Sequence, residues 1–164
     1  MAATIDLNDL IDDMKNELAV PGEDGFANAT DAQWLSQLRN AFWECVLDGL
    51  IGGYQESDGV ISPISGTTPL SRDLQQVVIY YAGVRILRNK LVDLKTRFAT
   101  EAGPVKYEVE QSAAVLKGIL DELIRRRNVW LIRISDVGHT NARYVDMVIS
   151  RDESMNDRNI YWTK

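Results

Sequence analysis

The chain has 164 residues and a formal net charge of −6. That length supports one domain with a real core, and a hydrophobic content of 45% excludes wholesale disorder. The acid surplus argues against a protein that grips nucleic-acid phosphate, and the apolar runs are too short to span a membrane.

The first ten residues, MAATIDLNDL, lack the basic and apolar regions of a signal peptide. Leu7, Leu10, Ile11, Met14 and Leu18 recur at helical spacing, which predicts a first helix over Ile5 to Ala19. Asp6, Asp9, Asp12 and Asp13 crowd its start, where the helix dipole favours acids, and Pro21-Gly22 ends it. A polar loop, Gly22 to Thr30, follows. Thr30 or Asp31 caps a second helix reaching about Leu50, with Trp34, Leu35, Leu38, Ala41, Phe42, Cys45 and Val46 on one face. Gly52-Gly53 is read as its stop.

Gly53 to Pro69 is rich in Gly, Ser, Thr and Pro and reads as a long surface loop, with a short extended piece at Val60-Ile61. Ser71 caps a third helix running to about Ala99. Tyr80, Val84, Leu87, Leu91, Leu94 and Phe98 form a heptad-spaced seam on it. Leu74, Val77, Val78, Tyr81 and Val92 form a second apolar face, with Arg85 and Arg88 beside it. A helix with two apolar faces is either central in a bundle or packed against another subunit. The two arginines either snorkel to water from the core's edge or pair with acids on a neighbouring copy.

Gly103-Pro104 breaks the chain, and a fourth helix follows over Glu108 to Arg127. Its stripe is Val109, Ala113, Leu116, Leu120, Leu123 and Ile124, and Asn128 is read as its stop. Arg125-Arg126-Arg127 then complements the dipole at a helix end, or contacts a partner's acids or DNA phosphate. From Val129 the character changes. Val129 to Ile134 and Arg143 to Ile149 read as two extended runs able to pair as a hairpin. An isolated hairpin is marginal in water, so this arm needs another surface. Its aromatics, Trp130, Tyr144, Tyr161 and Trp162, suit an interface, or else fold back on the helices.

Catalytic and ligand-binding patterns are sparse. The one histidine, His139, falls in a turn, and with the one cysteine cannot make a tetrahedral zinc site. Cys45, on the apolar face of the second helix, reads as a buried, inert thiol that cannot form an internal disulfide and fits a reducing compartment. The glycines do not form a phosphate loop. The carboxylates at Asp9, Asp12, Asp13, Glu17, Glu23 and Asp24 lack the spacing of a calcium loop and read as a solvated face.

The stretch Asp31-Ala32-Gln33-Trp34-Leu35 to Leu50-Ile51, and then QQVVIYYAGVRILRNKLVDLKTRFATEAGPVKYEVEQSAAVLKGILDELIRRR, resembles the head–tail connector (adaptor) proteins of long-tailed double-stranded DNA bacteriophages. The resemblance covers about Asp31 to Arg127. It is carried by the long helix ending near Phe98, the turn at Ala102 to Val105, and the helix start Tyr107 to Ser112. It implies a non-enzymatic virion protein without cofactor or metal, assembled in the host cytoplasm into a ring, usually of twelve copies, beneath the portal. Such a ring extends the DNA channel, carries double-stranded DNA without reading its sequence, and presents a platform to the stopper or another neck protein.

The expected architecture is mainly α: a four-helix bundle over residues 1–128, a long loop, and an extended C-terminal arm over 129–164. Trp130, Ile132, Ile134, Tyr144, Val145, Met147, Ile149, Tyr161 and Trp162 are then candidates for portal binding. Val77, Tyr81, Arg85, Arg88 and Val92 are candidates for contacts between subunits. Acidic balance suits a channel through which DNA slides, provided that a carboxylate cluster of the first helix or a loop faces it. The alternative is a soluble cytosolic helical module that binds one protein partner.

Overall fold

The structure is a computed structural model that describes residues 4–17, 30–100, 104–136 and 144–151. It is mainly helical, with a small three-stranded sheet. The chain enters as a short strand, β1 (Ile5–Asp6), then a 3-10 turn (Leu7–Leu10) and a helix, α1 (Ile11–Glu17). The expected first helix therefore begins later, at Ile11. Asp6 explains the start: its carboxylate accepts from the Asn8 amide at 2.8 Å and caps the turn. Leu7, Leu10, Ile11 and Met14 are buried as their spacing predicts, and Leu18 lies outside the described residues.

Helix α2 (Asp31–Leu47) opens with a reciprocal cap. The Thr30 hydroxyl accepts from the Gln33 amide, and the Gln33 side chain accepts from the Thr30 amide. The helix closes earlier than Gly52-Gly53. Gly49 takes φ +74, and the Leu50 amide donates back to the Cys45 carbonyl at 2.9 Å.

The segment read as a long loop holds a hairpin, β2 (Tyr54–Ser57) and β3 (Val60–Pro63). Asp58 and Gly59 both have positive φ, 52° and 86°, the two-residue turn whose twist matches antiparallel strands. β3 is the central strand and pairs β1 on its other edge, with Ile5 opposite Ile61. Glu56 ties the hairpin to α2: it accepts from the Trp43 indole at 3.1 Å and meets the Arg39 guanidinium at 2.8 Å.

Helix α3 (Arg72–Thr100) begins where the Ser71 hydroxyl accepts from the Leu74 amide. It is the central element and packs against both α2 and α4 (Pro104–Asp136). Up to Leu87 both of its apolar faces serve the chain's own core, because Tyr80, Val84 and Leu87 are buried together with Leu74, Val77, Val78 and Tyr81.

The largest departure from expectation is α4. It runs 33 residues, about 50 Å at the α-helical rise, straight through Asn128. Residues 129–136 are helical, not extended, and residues 144–151 form a further helix, α5, not the second strand of a hairpin. Leu131, Ile134, Val145 and Val148 belong to the hydrophobic core. The stripe of α4 does not end at Ile124. It continues Leu120, Ile124, Arg127, Leu131, Ile134, at steps of three and four, with an arginine in a core position.

Candidate functional site

Arg127 is buried, 1% exposed, and its place depends on α3. Its aliphatic stem lies in the stripe, and its guanidinium sits 5.0 Å from the centre of the Tyr81 ring, a cation held over an aromatic face. Its Nη2 also donates to Asn128 Oδ1 at 3.0 Å. The three consecutive arginines thus do three different things. Arg125 and Arg126 both donate to Glu122, whose carboxyl their hydrogen bonds hold down to about 2. Arg126 also reaches Glu17 of α1 at 3.6 Å. Since the helix continues past them, none of the three complements its C-terminal dipole.

Tyr80 and Tyr81 divide the surroundings of α3 in the same way. The Tyr80 hydroxyl donates to Glu17 at 3.2 Å, on the α1 side. The Tyr81 hydroxyl donates to Asp48 Oδ2 at 2.9 Å. Burial, reinforced by Cys45 and Asp48, pushes the Tyr81 phenol well above its ordinary value, so it stays protonated and can only donate there. Burial likewise raises Cys45, which is fully covered and therefore chemically quiet. Asp48 receives a second partner from α5, because Arg151 meets it through both terminal nitrogens at 2.8 and 2.9 Å. Tyr144, the first described residue of α5, lies against Gly49: a Cβ there would come within 3.1 Å of its ring.

These side chains surround a cavity of about 220 Å³ at the meeting of α2, α3, α4 and α5. Its wall carries Arg85 and Arg88 from α3, Arg127 from α4, Arg151 from α5, and Glu44 from α2. Arg85 Nη1 is 3.7 Å from Glu44 Oε2, while Arg85 Nε is buried without a hydrogen bond among the described residues. Sequence reading singled out Arg85 and Arg88 beside an apolar face. It missed Arg127 and Arg151 as parts of the same place, since no local pattern joins residues on four helices.

The residues expected at a portal contact separate into three groups. Ile134 and Val145 are buried in the chain's own core and are not available to a partner. Trp130 and Ile149 are partly buried against that core, and Trp130 carries the Arg133 guanidinium 4.8 Å from its ring centre. Ile132, Tyr144 and Met147 are exposed. Tyr161 and Trp162 lie outside the described residues, as does His139.

Of the expected subunit contacts, Val77 and Tyr81 are buried within the chain, because α2 and α4 cover both faces of α3. Val92 is 62% exposed, and Arg85 and Arg88 edge the cavity. Besides Ile64 after β3, the other exposed large apolar side chains lie on α4 and α2. Val129 and Ile132 are neighbours on the outward side of α4, with Val115 exposed about four turns earlier on the same helix, and Trp43 and Leu47 stand one turn apart on α2. Asp9, Asp12 and Asp13 are exposed, and no three metal-ligating side chains converge among the described residues. No helix among these residues is long and apolar enough to cross a membrane.

No family model, no curated protein and no solved structure matches the chain.

Proposed function

We propose that the chain is a non-enzymatic structural subunit of a bacteriophage head–tail connector. Its helices form the four-helix body of a ring that binds the portal on one side and a stopper or other neck protein on the other. Double-stranded DNA passes through the lumen, and the protein resides in the neck of the virion. The observation that supports this reading is the pair of separate exposed apolar patches, Val129–Ile132 on α4 and Trp43–Leu47 on α2. A cyclic ring is closed by heterologous contacts, in which one face of a subunit meets a different face of the next. Two unlike patches on one chain suit that requirement, whereas a two-fold dimer needs only one.

The corrected C-terminal region changes where the portal would be held. With Ile134 and Val145 committed to the core and Ile132 beside Val129 in the ring-closing patch, the docking residues of this region are Tyr144 and Met147 on the outer side of α5. The test is to mix the purified chain with a portal protein from the same source and image the mixture by electron microscopy. A ring concentric with the portal is expected, and unmodified portal particles beside free monomers would count against the reading.

A second reading, a monomeric helical module binding one protein partner, is favoured by one observation. Val77, Tyr81, Leu131 and Ile134 are all satisfied within a single copy, so the core needs no neighbour. The same images separate the two readings, since a module of this kind forms no symmetric particle.

A further inference from the structure

We infer that the arginine-walled cavity between α2, α3, α4 and α5 binds a tetrahedral oxyanion of the phosphoryl class. The inference goes beyond the connector reading and does not depend on it.

Four guanidiniums reach this cavity from three helices: Arg85 and Arg88 from α3, Arg127 from α4 and Arg151 from α5. Three of them are already oriented by fixed neighbours. Arg127 is 1% exposed and held by the Tyr81 ring and Asn128. Arg151 is clamped by both oxygens of Asp48, and Arg85 stands beside Glu44. A binding group that is oriented before the ligand arrives loses little side-chain freedom on binding. Guanidinium is also the side chain whose planar fork matches phosphate and carboxylate oxygens through charge-assisted hydrogen bonds.

The geometry favours phosphoryl over carboxylate. A carboxylate offers two oxygens in one plane, and the wall already has that chemistry in Glu44. A phosphoryl group offers oxygens outside a single plane, and the arginines come to the cavity from three separate helices. The phosphoryl group can come from free phosphate, from a terminal phosphomonoester or from the diester backbone of a nucleic acid. All three present non-bridging phosphoryl oxygens to the wall, two from a diester and three or more from the others.

The experiment is calorimetric titration of the full chain with inorganic phosphate, against sodium chloride at equal ionic strength. Arg88→Gln and Arg85→Gln are titrated alongside; both side chains are only partly buried, so circular dichroism should confirm that the variants fold. Saturable phosphate binding is expected, weakened on the order of tenfold or more by either substitution, the loss typical of a hydrogen bond to a charged group. Short oligonucleotides with and without a 5′-phosphate then assign the source. Binding that needs the 5′-phosphate points to a free or terminal group, and Arg88-dependent binding without it points to the backbone. Three results would overturn the inference: heats no larger than those of chloride, phosphate binding unchanged in both variants, or tighter binding of glutarate than of phosphate.

Discussion

Asp48 and Arg151 stand 103 positions apart and are joined by two hydrogen bonds, Nη1 to Oδ1 at 2.8 Å and Nη2 to Oδ2 at 2.9 Å. Asp48 ends α2, Arg151 ends the described part of α5, and the Tyr81 hydroxyl of α3 completes the carboxylate's surroundings. One small side chain thus fastens three helices, and its loss leaves more than one group short of a partner.

Asp48→Ala should therefore lower stability by about 2–4 kcal/mol, the range for stranding a partly desolvated charge and a buried hydroxyl. Arg151→Ala should cost less, about 1 kcal/mol, because its side chain is 38% exposed and water replaces the lost contact. Urea unfolding of the two variants checks the order as well as the sizes.

Removing the chain after Asn128 should abolish cooperative unfolding, because Leu131, Ile134, Val145 and Val148 leave the core with it. Leu131→Ala and Ile134→Ala should each cost about 2–5 kcal/mol, as for other fully buried aliphatic truncations. A truncated chain that melts like the full one would return these residues to a free arm.

Glu56 predicts a pH dependence. Burial pushes its carboxyl up, but hydrogen bonds from the Gly59 amide and the Trp43 indole, with the Arg39 guanidinium, outweigh burial and hold it below the usual range. A group with a depressed folded value binds fewer protons folded than unfolded as the solution acidifies. Its contribution is complete above the ordinary carboxylate range and is lost as pH falls below that range and through the lowered folded value. Stability measured across that window should fall less steeply in Glu56→Gln than in the parent chain.

Gly59→Ala should cost about 1–2 kcal/mol, the penalty for a side chain in the left-handed region. Its φ of +86 falls in that region, and the new Cβ would stand 3.3 Å from Leu35 Cδ1. Thermal unfolding gives the shift. An unchanged midpoint would mean that the Asp58-Gly59 turn is not fixed as described.

Much of the helical framework was legible in the residues because its signals are local. Thr30 with Gln33, Ser71, and the stripes through Trp34 to Cys45 and Tyr80 to Leu87 each lie within a few turns of chain. The errors have equally specific causes. Arg127 occupies a core position, so a stripe followed by its hydrophobicity stops at Ile124. The β-branched and aromatic run Val129 to Ile134 then passes for a strand. What places Arg127 inside is Tyr81, 46 positions earlier, a contact no short window contains. The hairpin was masked by a polar, Gly- and Pro-containing neighbourhood, although Asp58-Gly59 is itself a turn signal. The cavity is the extreme case, because its arginines converge only after four helices have packed.

The connector reading is tested most directly by imaging portal mixtures of the parent chain and of the double substitution Val129→Glu with Ile132→Glu. Both residues are more than half exposed, so circular dichroism and melting should be unchanged. The reading predicts portal-bound rings for the parent and none for the variant. A parent chain that stays monomeric beside its portal, or a variant that still closes the ring, would contradict it.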